Sequence, residues 1–204
     1  MIAGLILAGG QGKRLSGVKP LLVHESAALL ERVVQNIRAA KLDPLIVVLG
    51  VEARRVIQRI PLGGLKVVIN PQPSLGLSSS IQRGLAHISP RCDAVLIALG
   101  DMPLVTTGTV NLLVEEFNKG KKGIVVPVYD KQRGHPVILD VKYLDELLAL
   151  RGDKGASAIL DAHPKDVREV KVESDEVLID VDTHDDWEMV KGRLEPHHQI
   201  PAPA

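Results

Sequence analysis

The strongest constraint on the fold is a set of short segments that are apolar almost without interruption. Ile2–Leu7 runs into Gly9-Gly10, Leu45–Leu49 repeats the pattern, and Ala94–Leu99 ends at Gly100-Asp101. Lys66–Ile69 is a shorter run, halted by Asn70-Pro71-Gln72-Pro73. A strand with one wet face alternates polar and apolar residues. A strand that is apolar throughout is buried on both faces, as in a parallel sheet covered by helices. The intervening segments have helical spacing. Leu29, Leu30, Val33, Val34 and Ile37 fall on one face over Leu29–Ala39. Val51–Ile60 reads as a short helix ended by Pro61, and Ser78–Ile88 as a helix capped by Ser78 or Ser79. The alternation predicts an α/β fold: three layers around a mostly parallel, doubly wound sheet. Such sheets bind ligands beyond the carboxyl ends of their strands. Chemistry is therefore sought at residues 9–19, 70–80 and 100–103.

The second half is less regular. Helices are predicted over Thr107–Asn118, Val141–Leu150, Ala156–Ala162 and Thr183–Leu194, and strands over Gly123–Val128, His135–Leu139 and Val167–Val172. Residues 1–194 read as one domain, and the proline-bearing 195–204 as a disordered tail. With 25 basic and 25 acidic side chains the formal net charge is zero, which supplies no field to gather a nucleic acid. Aromatics are 2% of the chain, too few for a base-stacking surface. Ile2–Leu7 is too short to span a membrane and is read as the first core strand. The lone Cys92 excludes an internal disulfide and a thiolate metal cluster, and reads as a small buried apolar residue compatible with a reducing cytoplasm. The expectation is a cytoplasmic protein with neither nucleic acid nor membrane as partner.

Three segments carry the chemistry. The first is Leu7-Ala8-Gly9-Gly10-Gln11-Gly12-Lys13-Arg14, followed by Lys19. Its glycines let backbone N–H groups converge on an anion, and its basic residues add positive charge. It matches neither common phosphate motif, since no Ser or Thr follows Gly12-Lys13 and the dinucleotide fingerprint lacks its third glycine. The second is Asp101, placed directly after a strand and before Met102-Pro103. It reads either as a turn residue or as an oxygen ligand for Mg²⁺. The third is Asp180-Val181-Asp182-Thr183. Asp182 reads as a cap for the last helix or as a second metal ligand with Asp101. Ser78, Ser79 and Ser80 at a helix start read as caps or as anion ligands, and His135 as a hydrogen-bonded structural histidine.

Taken in order, these segments resemble the MobA/MocA-like nucleotidyltransferases and the Rossmann-like nucleotide-diphospho-sugar transferase fold. The resemblance runs from Ile2 to about Leu194 and rests on six elements: the first loop with Lys19, Gly76–Ser80 with Gly84, Gly100–Pro103, Gly134-His135-Pro136, Gly152-Asp153-Lys154-Gly155 and Asp180–Thr183. It implies transfer of a nucleoside monophosphate from CTP or GTP to the terminal phosphate of molybdopterin, with Mg²⁺ on Asp101 and Asp182. It implies that Leu7, Ala8, Gly9, Gly10, Gly12, Lys13, Arg14, Lys19, Asn70, Ser79 and Asp101 bind the nucleotide. Arg14, Lys19 and Asp101 then serve catalysis, while Ser78–Ser80 and Gly134, His135 and Pro136 face the acceptor. The family's cytidylyl branch carries Leu-Ala-Ala-Gly in the first loop and its guanylyl branch Leu-Ala-Gly-Gly. Leu7-Ala8-Gly9-Gly10 therefore points to GTP while the later motifs point to CTP, and CTP is taken as the expectation. A molybdoenzyme or its chaperone is the implied protein partner. Three rivals stand beside this reading: the same fold acting on methylerythritol phosphate or phospholactate, a non-catalytic carrier of molybdenum cofactor, and a dinucleotide-dependent oxidoreductase, which the broken fingerprint disfavours.

Overall fold

A computed structural model describes residues 1–10 and 18–194. Gln11, Gly12, Lys13 and Arg14 of the first loop, and the segment 195–204, lie outside the described residues. In chain order the elements are β1 (Ile2–Ala8), β2 (Val23–His24), β3 (Ala27–Ala28), α1 (Leu29–Arg38), β4 (Leu45–Leu49), α2 (Ala53–Arg59), β5 (Lys66–Ile69), α3 (Leu77–Leu85) and β6 (Ala94–Leu99). There follow α4 (Thr107–Asn118), β7 (Ile124–Tyr129), β8 (Gln132–Arg133), β9 (Val137–Asp140), α5 (Leu144–Ala149), α6 (Ala156–Ala162), β10 (Val167–Lys171) and α7 (His184–Lys191).

The main sheet runs β10-β7-β9-β6-β1-β4-β5, with β8 paired to β7. The pairs β6–β1, β1–β4, β4–β5 and β7–β10 are parallel, and β9 runs antiparallel to both β6 and β7. The fold is the expected mostly parallel α/β sandwich. Its winding reverses at β1, which has β4 on one side and β6 on the other. The crevice at the carboxyl ends of β1 and β6 is therefore the place where the topology favours a ligand. Because β9 is reversed, its amino end lies at the same edge, and this brings His135-Pro136 to the crevice.

Side-chain alternation within the strands fills two apolar layers. Ile6, Val47 and Leu96 face Leu30, Val33, Ile37, Val110 and Leu113 on the α1/α4 side. Leu5, Leu7, Val48 and Ile97 face Ile81, Leu85, Leu147, Ile159 and Leu160 on the α3/α5/α6 side. Both layers exclude water, which explains why β1 and β4 have no polar position. Cys92 is buried, as a small apolar residue would be. No helix among the described residues is long and apolar enough to cross a membrane.

Several boundaries differ from the sequence reading for local reasons. Gly76, not a serine, precedes α3; its φ of 92° is a backbone conformation that glycine adopts without strain. The serines therefore fall inside the helix, where Ser79 donates its hydroxyl hydrogen to the Gly76 carbonyl at 2.7 Å. α2 starts at Ala53 because Val51 and Glu52 form the turn that leaves β4. α5 is preceded by a 3₁₀ turn over Val141–Tyr143, with the Asp140 carboxylate accepting from the Lys142 N–H. The last helix ends at Lys191. The β2–β3 hairpin and β8 contain two residues per strand, too few to carry a period.

Gly84 shows how tightly α3 is seated. A Cβ there would lie 2.2 Å from Leu5 Cδ1 and 3.1 Å from Val48 Cγ2. Leu5 is fully buried and has nowhere to go. Alanine normally gains about 1 kcal/mol over glycine within a helix. Here overpacking, which costs about 1–3 kcal/mol or more, wins because the contact lies far inside van der Waals distance. Gly84→Ala is expected to lower stability; a urea midpoint at or above that of the parent protein would show that α3 can move off the sheet.

Candidate active site

The crevice is lined by backbone before any side chain enters it. Gly100 donates its N–H to the Leu7 carbonyl at 2.8 Å, and a Cβ on Gly100 would lie 2.7 Å from Ala8 Cβ. On the opposite flank a Cβ on Gly50 would lie 2.6 Å from the Gly9 carbonyl oxygen. The chain ends leaving β4, β1 and β6 thus crowd together, and glycine at 50 and 100 permits this approach. Gly9 is hemmed in from α3: a Cβ there would meet Ser80 Oγ at 2.9 Å.

Asp101 follows directly on Gly100, at the carboxyl end of β6. Its partner segment arrives from the far end of the chain. The Val181 N–H donates to the Asp101 carbonyl at 3.0 Å, and the His135 N–H donates to the Val177 carbonyl at 2.9 Å. Upstream, the buried Glu176 carboxylate accepts from the Thr106 N–H at 3.3 Å and from the hydroxyls of Thr106 and Thr109, fixing this segment to the start of α4. These bonds bring Asp180 and Asp182 to Asp101. One oxygen from each of Asp101, Asp180 and Asp182 lies within 4.8 Å of the others.

Lys19 enters from the turn after the first loop and is only 8% exposed. Its Nζ donates to Asp101 Oδ2 at 2.7 Å and to Asp182 Oδ1 at 2.8 Å. Burial alone would lower the lysine pKa, but the Asp101 charge and the hydrogen bonds to Asp101 and Asp182 hold it above the ordinary value. Asp180 is pushed up, first by burial and then by the charges of Asp101 and Asp182. Asp182 does not cap α7. Thr183 fills that role, its Oγ1 accepting from the Asp186 N–H while Asp186 accepts from the N–H groups of Thr183 and Asp182.

The sequence-selected residues thus fall into two groups. Leu7, Ala8, Gly9, Gly10, Lys19, Asp101 and Asp182 line or border one crevice, and His135 stands beside Asp101. Asn70, Ser79 and Ser80 form a second cluster beside Gly9. Asn70 is 1% exposed, and its Nδ2 donates to Ser79 Oγ at 2.8 Å and to Ser80 Oγ at 3.0 Å. Its Oδ1 accepts from the Gln72 N–H at 3.0 Å. Ser78 is buried and its N–H donates to the Gly152 carbonyl at 3.1 Å, so the Gly152–Gly155 loop packs on the start of α3. A Cβ on Gly134 would meet the Val177 carbonyl at 2.2 Å.

Asp180 is the site residue that the sequence reading named but gave no metal role. The signal was present: two acids separated by one apolar residue share a face of an extended chain, so whatever brings Asp182 to Asp101 brings Asp180 too. Glu176 could not have been found, because its role depends on a helix start 70 residues away.

Could this crevice hold a divalent cation? The donor set is hard oxygen, the kind that Mg²⁺ and Mn²⁺ select. Asp101 Oδ1 is buried without a hydrogen-bond partner among the described residues, an arrangement that a cation would relieve. The residues fit.

His135 is the neutral member of the site. Burial lowers its pKa, and neither the nearby Asp101 charge nor a hydrogen bond to the Ile97 backbone offsets this. The unfolded chain therefore takes up a proton first as the pH falls. The histidine's contribution to stability is full above 6.5 and is lost as the pH drops below it. An NMR titration should place His135 below that value, and His135→Gln should flatten the fall of Tm under pH 6.5. Protonation at or above 6.5 would contradict the buried environment.

Comparison with known proteins places this geometry in a family. A family model described as the MobA-like NTP transferase domain matches residues 4–167. Nicotine blue oxidoreductase from Paenarthrobacter nicotinovorans is 29% identical over 191 residues, 89% of this chain and 92% of that protein. The bifunctional protein GlmU of Bifidobacterium adolescentis is 32% identical over 145 residues, and the match covers 67% of this chain but 32% of that protein. The manganese complex of Rv0371C from Mycobacterium tuberculosis H37Rv superimposes with a TM-score of 0.83 at 30% identity, covering 95% of this chain and 99% of that one. A structure related to this one is thus known with a divalent cation. The chain belongs to the MobA-like NTP transferase family.

Proposed function

We propose that the protein is a Mg²⁺-dependent nucleotidyltransferase that transfers a nucleoside monophosphate from CTP to the terminal phosphate of molybdopterin or molybdenum cofactor and releases pyrophosphate. The observation that carries this reading is the acidic cluster of Asp101, Asp180 and Asp182, joined by Lys19 and set against a glycine-lined crevice at the winding reversal. Family membership and the six sequence elements in order support the same reaction.

The acceptor is a phosphate monoester, already an anion near neutral pH, so no general base is required. Its oxygen attacks the α-phosphorus, the bond between that phosphorus and the α–β bridging oxygen breaks, and pyrophosphate leaves with the electron pair. The obstacle is repulsion between two anions, which positioning and fixed positive charge overcome. Backbone N–H groups of Gly9, Gly10 and Gly12 receive phosphate oxygens, and Lys13, Arg14 and Lys19 supply cationic charge. Asp101 and Asp182 hold the metal, with Asp180 beside them. When bound, the metal neutralises the α-phosphate and the leaving group. His135, Gly134 and Pro136 form the acceptor wall next to Asp101. Asn70 acts through Ser79 and Ser80, whose hydroxyls it holds.

The base preference rests on the sequence motifs. An added Cβ on Gly9 would lie 2.9 Å from Ser80 Oγ, a contact that does not involve the base and that rotation of the serine hydroxyl relieves. The first loop still points to GTP and the later motifs to CTP, and the proposal follows the later motifs. A second reading comes from the Paenarthrobacter relative, whose name is that of an oxidoreductase. It predicts electron transfer and no pyrophosphate.

The deciding experiment is pyrophosphate release with Mg²⁺, offering CTP, GTP, ATP and UTP in parallel, with and without molybdenum cofactor. Release that requires cofactor and CTP supports the proposal; release with GTP alone corrects the base; no release with any nucleotide overturns it. Asp101→Asn should cut turnover by about 100-fold or more. Its Tm should stay within about 4 °C of the parent, since Lys19 keeps Asp182. Near-normal activity in that variant would remove Asp101 from the metal site. Asp180→Asn should raise the Mg²⁺ concentration needed for half-maximal rate while retaining more activity than Asp101→Asn.

A further inference from the structure

Lys19 sits in an unusual place for a residue assigned to a triphosphate. Its ammonium is buried between two carboxylates, 2.7 Å from Asp101 Oδ2 and 2.8 Å from Asp182 Oδ1, and the third acid, Asp180, lies within the same cluster. Three carboxylates this close repel one another, and one cation must offset them for the loops to stay closed. A divalent cation bridging Asp101 and Asp182 through these two oxygens would meet the ammonium between them. Metal–oxygen bonds to Mg²⁺ are about 2.0–2.1 Å long, so a metal engaging this pair of oxygens occupies the region the ammonium now fills.

We propose that Lys19 is an internal counter-ion that a divalent cation displaces. Without metal, its ammonium neutralises the Asp101–Asp180–Asp182 cluster and ties residue 19 to residues 101 and 182. When the cation takes those oxygens, the ammonium is released as a donor for phosphate oxygens in the same crevice. One lysine thus alternates between two anionic partners. Metal alone must then evict a well-held ammonium into water. Metal entering with an anionic phosphate chain gives that ammonium a new partner. The two should therefore bind with positive coupling. This inference rests on the metal assignment made above and adds the competition to it.

The test uses Mn²⁺ alone, followed by electron paramagnetic resonance, on the intact protein and on Lys19→Met and Asp101→Asn. Lys19→Met should bind Mn²⁺ about tenfold more tightly than the parent, and its Tm without metal should be lower and recover on adding Mn²⁺. Inorganic triphosphate should tighten Mn²⁺ binding to the parent more than to Lys19→Met. A second measurement needs no variant. Lys19 should resist reductive methylation in the metal-free protein and become labelled once Mn²⁺ is added, as read by mass spectrometry. Equal or weaker Mn²⁺ binding by Lys19→Met, or labelling of Lys19 that does not rise with Mn²⁺, overturns the displacement while the metal site stands. Failure of the parent and Lys19→Met alike to bind Mn²⁺ overturns the metal assignment, and the displacement falls with it.

Discussion

The site depends on one electrostatic joint. Lys19 Nζ links side chains 82 and 163 residues further along the chain, and no other described contact reaches across the crevice between the start, the middle and the end of the domain in this way. The joint forms only because backbone geometry has already brought the three strands' ends together. Gly50 and Gly100 allow the exits of β4 and β6 to press on β1, and the Val181–Asp101 hydrogen bond lays the returning segment across the gap. Packing supplies the frame, and charge closes it.

Most of the frame was legible in the chain itself. Ile2–Leu7 and Leu45–Leu49 declare strands buried on both faces, and Leu29–Ile37 declares a helix covering them. A doubly wound sheet then fixes the ligand edge without any knowledge of side-chain geometry. What could not be read were features created by long-range contact. The β2–β3 hairpin has no period to detect. The start of α3 moved from serine to Gly76 because the Gly152 loop lies against it, 76 residues away in sequence. Of the two roles open to Asp182, capping went to Thr183 and Asp186, a local arrangement that the Thr183-x-x-Asp186 spacing already contained. The acidic pair at 180 and 182 was visible, but only its meeting with Asp101 shows that both members count.

The site also separates two kinds of polar cluster. Asn70, Ser79 and Ser80 satisfy one another and leave Asn70 almost without solvent contact, which is the signature of a strut. Asp101, Asp180 and Asp182 do the opposite. They concentrate like charge, leave Asp101 Oδ1 without a partner among the described residues, and raise the pKa of Asp180. Asp180 is exposed and Asp182 half-exposed, so this acidic cluster opens to solvent rather than into the core. Its arrangement is intelligible as a site held ready for a cation.

His135 adds the complementary element. It is half-buried, close enough to feel the Asp101 charge, yet held neutral, so it contributes no positive charge to compete for the acidic oxygens. Were it protonated, the site would contain a second resident cation, and a divalent metal would have two ammonium-like charges to contend with instead of one. Burial of the imidazole and burial of the ammonium therefore act in opposite senses: one withholds charge from the crevice, and the other stations it where a metal must displace it. For Lys19 two hydrogen-bonded carboxylates outweigh burial, whereas for His135 burial outweighs the Asp101 charge and the hydrogen bond to the Ile97 backbone.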